Sequence, residues 1–181
     1  LSGSGAQDRD ETILGHKPFA VIADDLTRRG VAVLRYDDRG FARSTGDFAK
    51  AGIEDFAIDA TAALDWLSKQ PRIDARRIGL LGHSEGGVVA PMTAARDRRV
   101  AFVVLVAAPG APLTEVLTAQ RAALAPHMGL NAADAAKSQA MFDRALAAMA
   151  GAVSDQEAQA RAAAVLVAEG KAFGVTEATA A

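Results

Sequence analysis

Residues 78–96 constrain the fold more than any other stretch. An apolar run, Ile78 to Leu81, passes through Gly82-His83-Ser84-Glu85-Gly86-Gly87 into a segment of small residues that reads as a helix. Upstream, Phe19, Ile22, Ala23 and Leu26 fall at i, i+3, i+4 and i+7, one apolar face of a helix. Pro18 suits its first turn and Gly30 its stop. Val31 to Tyr36 reads as a short buried strand, and Asp37 to Gly46 as a polar loop. Phe56, Ala60, Leu64 and Leu67 form a second helical stripe that stops before Pro71. Ala101 to Ala107 is a further apolar strand, ending near Pro109.

Strands alternating with helices predict an α/β fold with a parallel sheet and right-handed crossovers. Continuous apolar runs such as Val103-Val104-Leu105-Val106 suit strands covered on both faces. In such sheets ligands bind at the carboxyl ends of the strands. The candidate chemistry therefore lies after Leu1, Tyr36, Leu81 and Ala107. From about Gly110 the text becomes Ala-rich and helical. Leu113, Val116, Leu117, Gln120 and Leu124 trace one face, and Phe142, Leu146 and Met149 another. Val165 and Leu166 mark a third helix ending near Gly170. The expected organisation is an α/β core over residues 1–110 and a helical layer over 111–181, capping the strand ends. Pro91 sits inside the helix that follows Ser84 and should bend it.

Composition narrows the function. Twenty basic against 22 acidic residues give a net charge of -2, no electrostatic reason to expect nucleic acid or an anionic membrane. Aromatic residues make up 5%, too few for a stacking platform. The absence of Cys excludes disulfides and thiolate catalysis. No apolar run approaches the roughly 20 residues of a membrane-spanning helix. No two His fall at zinc spacing, so no metal is expected.

The glycine-flanked serine carries the chemistry. Acyl transfer needs a hydroxyl at the top of the sheet, close to backbone N–H donors. A sharp strand-to-helix turn supplies both but crowds the backbone. Gly82 and Gly86, two positions either side of Ser84, relieve that crowding. The following helix N-terminus favours a developing oxyanion. A glycine-rich turn that cradles a phosphate is the competing reading; neither G-x-G-x-x-G nor a P-loop Lys supports it.

Four stretches together resemble the α/β-hydrolase superfamily, and within it the bacterial serine carboxylesterases with a Gly-Ser-Gly oxyanion segment. They are Ser2-Gly3-Ser4-Gly5-Ala6-Gln7-Asp8-Arg9-Asp10, Arg35-Tyr36-Asp37-Asp38-Arg39-Gly40, Gly82-His83-Ser84-Glu85-Gly86-Gly87 and Ala107-Ala108-Pro109-Gly110. The resemblance covers residues 1 to about 120. It implies Ser84 as nucleophile, with the backbone N–H groups of Glu85 and Ser4 as oxyanion donors. It implies a small-molecule ester as substrate and no cofactor. Asp37 and Arg39 would act structurally, and Ala42 stands where the family's loop usually has a second Gly. The family's triad acid and His follow the helical insertion. The chain is therefore expected to be a fragment without them, showing little turnover alone, with exposed sheet edges. A peptidase or thioesterase on the same scaffold, or a non-catalytic binding module, are the alternatives. Compartment and oligomeric state stay open.

The remaining candidates read as structural. His83 is expected to pack or hydrogen-bond within the turn, His16 to be a solvated loop residue, and His127 to lie off the site. Asp8, Arg9, Asp10 and Glu11 read as an ion-pair network holding the first loop, against substrate contact by Arg9. Arg96, Arg98 and Arg99 read as a solvated face. Met128, Met141 and Met149 read as packing.

Overall fold

A computed structural model describes residues 1–170. Among the described residues it contains two compact units, residues 1–110 and the part from residue 111 onward. In the first, α1 (Pro18–Arg28) starts with Pro at its first turn. It points Ile22, Ala23 and Leu26 inward while Val21 stays 69% exposed. Helix α2 (Ile53–Ser68) begins where the Asp55 carboxylate accepts the Gly52 N–H at 3.0 Å, half of a capping box. Strand β1 (Gly79–His83) leads into α3 (Gly86–Arg96), and β2 (Phe102–Val106) follows. β1 and β2 pair in parallel, from Gly79 opposite Phe102 to His83 opposite Val106.

The core of this unit lies between helices and sheet. Ala57, Ala60 and Leu64 of α2 and Val89, Ala90 and Thr93 of α3 are buried, with Ile78 at the foot of β1. Small side chains at these positions let α2 and α3 pack closely. Arg96 of α3 pairs with Glu54 of α2 at the rim. Helix α3 runs through Pro91 as one helix.

Two boundaries differ from the sequence reading. The nucleophile strand starts and ends one or two residues later than Ile78–Leu81, because its ladder with β2 continues to His83. Val31 to Tyr36 is not assigned as a strand. A strand needs a ladder partner, and among the described residues none pairs with this stretch. Leu1 takes the edge of β1 opposite β2. Its nitrogen donates to Leu81 O at 2.6 Å, and its carbonyl accepts the His83 N–H at 3.0 Å.

The loop after Tyr36 is fastened on both sides. Arg9 meets Asp37 through two side-chain hydrogen bonds, at 3.0 and 2.7 Å, and its backbone N–H adds a third at 2.8 Å. Arg39 forks onto Asp59 of α2 with two contacts of 2.7 Å. Gly40 adopts φ +70, and a Cβ there would stand 2.7 Å from Phe48 N. Ala42 takes φ +46, so the turn keeps a left-handed residue although no glycine occupies it.

The second unit is helical: α4 (Leu113–Leu124), α5 (Ala132–Met149) and α6 (Asp155–Gly170). Asn131 caps α5 by accepting the Asp134 N–H at 2.9 Å. Arg121 of α4 bonds the Ser138 carbonyl and hydroxyl, and lies 4.6 Å from the centre of the Phe142 ring. The three helical faces read from the sequence fall on these three helices. The Ala-rich segment after Gly174 lies outside the described residues. Among those described, no helix is long and apolar enough to cross a membrane.

Two predictions rest on this fold. Ala42→Gly should raise stability by about 0.5–1 kcal/mol in chemical denaturation, because glycine removes the left-handed penalty. A loss of stability would contradict the turn. The second concerns pH. The Arg9 guanidinium holds the Asp37 carboxyl well below the usual carboxylate range. A folded-state pKa below the unfolded value of about 3.9 gives stability that is fully present above that pH and is lost as pH falls. Asp37→Asn should therefore be less stable than the parent by about 1–2 kcal/mol at pH 7, a low figure because the Arg9 side chain is 43% exposed. The gap should close as pH falls below about 4. Asp38, whose carboxyl burial pushes up, is common to both proteins and cancels in the difference. A gap independent of pH would contradict the assignment.

Candidate active site

The site forms where β1 turns into α3. Ser84 adopts φ +50, a left-handed conformation that a non-glycine residue takes only when its surroundings enforce it. The ladder continues to that point: the Ser84 N–H donates to Val106 O at 3.0 Å. The next residue, Glu85, is already helical at φ -58 and ψ -38. Chain direction reverses within a single residue, and its neighbours are compressed accordingly. A Cβ on Gly82 would stand 2.0 Å from Gly86 O. A Cβ on Gly86 would stand 2.3 Å from Leu1 O and 2.6 Å from Ser2 O. Glycine at both positions is thus a steric requirement of the turn and of the loop lying across it.

That loop is the first segment of the chain. A Cβ built on Gly3 would lie 3.3 Å from Ser84 Cβ, which sets the segment against the nucleophile candidate. The Ser4 hydroxyl donates to the Glu85 carboxylate at 3.2 Å. The three residues singled out from the sequence, Ser84, Glu85 and Ser4, are therefore neighbours. Among the described residues neither the Glu85 N–H nor the Ser4 N–H has a hydrogen-bond acceptor. Glu85 N also stands at the N-terminus of α3, where the helix dipole favours negative charge. Backbone amides without an acceptor, one directly after Ser84 and one on the segment packed against it, are groups of the kind that can hold a developing oxyanion.

The first segment is held from behind. Asp38 accepts the Ser2 hydroxyl at 2.7 Å and the Gln7 N–H at 2.9 Å. Arg35 pairs with Asp10, which Lys17 also approaches at 3.6 Å. Arg9 is engaged by Asp37, as the network reading expects. Asp8 accepts the N–H groups of Asp10 and Thr12, shaping a turn that sends the acid between them inward. That acid, Glu11, is 5% exposed and was legible in the sequence only as one member of the cluster.

Of the three histidines, His83 bonds Glu11 through Nδ1 at 2.7 Å and meets the Phe19 ring edge-on. His16 bridges Ile13 through the backbone and is exposed. His127 is exposed in the second unit. Among the described residues none bonds the Ser84 hydroxyl. A small cavity lies beside the turn, walled by Tyr36, Phe48, Phe56, Val89 and the acids Asp38 and Asp59. Burial raises the Tyr36 hydroxyl's pKa, so it stays a neutral donor.

The chain is similar to known proteins in sequence. The chain is 37% identical to Esterase EstD of Thermotoga maritima over 120 residues, 66% of the chain and 28% of the esterase. It is 37% identical to a 31.7 kDa protein of the traX-finO intergenic region of Escherichia coli over 83 residues, 46% of the chain and 29% of that protein. It is 32% identical to protein bem46 of Schizosaccharomyces pombe over 94 residues, 51% of the chain and 30% of that protein. The matches thus span under a third of each relative's length. The family described as X-Pro dipeptidyl-peptidase (S15 family) matches residues 4–178. A parallel sheet, a left-handed serine between strand and helix, and a match over nearly the whole chain lead to one conclusion: the chain belongs to the X-Pro dipeptidyl-peptidase (S15) family, a family of the α/β-hydrolase type.

Proposed function

We propose that the intact protein is a serine hydrolase that cleaves carboxylic esters through an acyl-enzyme on Ser84. The observation that carries the reading is the φ of +50 at Ser84, followed at once by a free helix-terminal amide at Glu85. Strain of this kind costs about 1–3 kcal/mol, persists only where the surrounding structure enforces it, and clusters at active sites. The similarity to a protein named as an esterase supports the ester over other acyl substrates.

In this reading the Ser84 hydroxyl attacks the ester carbonyl, and its proton passes to a histidine base. That histidine then returns the proton to the leaving alcohol. The Glu85 and Ser4 amides hold the oxyanion, each worth about 3–4 kcal/mol of transition-state stabilisation. Water then releases the acid from Ser84. No cofactor takes part. The family's description favours a second reading, cleavage of an amide bond after proline, by the same acyl-enzyme chemistry.

Labelling with a fluorophosphonate probe tests the nucleophile. The intact protein should label and Ser84→Ala should not, with activity falling at least about 10³-fold. Short p-nitrophenyl esters should be turned over faster than X-Pro p-nitroanilides. The reverse preference would favour the peptidase. A folded, unlabelled intact protein would leave a binding module as the better account.

A further inference from the structure

We infer that Glu11 is a positioning residue for the oxyanion site, an inference that rests on the serine-hydrolase reading above. Its carboxylate is nearly inaccessible, with 7% of the side chain exposed. One oxygen, Oε1, receives two donors: the Gly3 N–H at 2.6 Å and His83 Nδ1 at 2.7 Å. Gly3 is the residue before Ser4, and His83 is the residue before Ser84. A single buried atom thus ties together the two backbone segments that carry the proposed donor and the proposed nucleophile.

The connection has a direction. The Gly3 N–H is spent on Oε1, and His83 Nδ1 is held at the same atom. With the Gly3 amide engaged, the Ser4 amide is the one left free beside Glu85. The backbone of Glu11 is itself left-handed, at φ +51, and its N–H donates to Asp8 O at 2.9 Å. The strained turn aims the side chain inward, and the Asp8 contacts to Asp10, Thr12 and the Thr12 hydroxyl hold the turn closed. Displacing a donor by about 1 Å costs on the order of 100-fold in rate, so a clamp at this point acts on turnover.

The test compares Glu11→Ala, Glu11→Gln and Ser84→Ala in the intact protein. Glu11→Ala should lower kcat about 100-fold with KM changed little, because the oxyanion forms only in the transition state. Glu11→Gln keeps an acceptor at Oε1 and should recover activity to within about tenfold of the parent. In the 181-residue chain, the Gly3 amide proton should resonate far downfield in the parent and move upfield in Glu11→Ala. A Glu11→Ala protein that keeps kcat while Ser84→Ala abolishes it would overturn the inference and spare the serine reading. Equal activity of Ser84→Ala and parent would sink the serine reading instead. A Gly3 resonance unmoved in Glu11→Ala would overturn the clamp on its own. If Glu11→Ala fails to fold, a Glu11→Gln protein that folds but stays about 100-fold slow would also overturn it.

Discussion

The left-handed backbone at Ser84 is the constraint on which the rest of this unit depends. It is held by hydrogen bonds on both edges of β1: Val106 O takes the Ser84 N–H, and Leu1 O takes the His83 N–H. It is permitted by Gly82 and Gly86, where a side chain would strike backbone at 2.0–2.3 Å. Neither condition is local. The first requires the parallel partner strand, and the second requires the first loop to lie directly over the start of α3. The turn is therefore a product of the assembled sheet, which is why glycines at this spacing mean little without the flanking strand and helix.

A second layer keeps the first loop in register. Gln7, Arg9 and Asp10 meet Asp38, Asp37 and Arg35, so two acidic-basic motifs some thirty residues apart interlock almost residue for residue. Individually, partly exposed pairs of this kind contribute little stability. Collectively they fix the orientation of a loop that has no secondary structure of its own. That would suit the proposed oxyanion donor on this loop, whose effect would depend on placement to a fraction of an ångström.

The sequence was most legible where spacing reports sterics. Pro18, the stripe from Phe56 to Leu67, and the run into Gly82-His83-Ser84 marked α1, α2 and β1–α3 with small boundary shifts. Val31–Tyr36 was misread because its apolar character specifies a buried extended segment and says nothing about a ladder partner. The unusual Ala42 was visible, but the retained left-handed turn was not, since the surrounding loop decides it. Ser84, Glu85 and Ser4 were legible from motif order. Glu11 was not, because its importance comes from the convergence of residues 3, 11 and 83, which no local pattern encodes.

The account's central claim is that an oxyanion on Ser84 sits between two backbone amides. A crystal structure of the intact protein carrying a phosphonyl group on Ser84 addresses it directly. The account predicts one phosphonyl oxygen within about 2.7–3.1 Å of both the Glu85 and Ser4 nitrogens. A phosphonyl oxygen facing solvent, or an adduct formed on another residue, would contradict it.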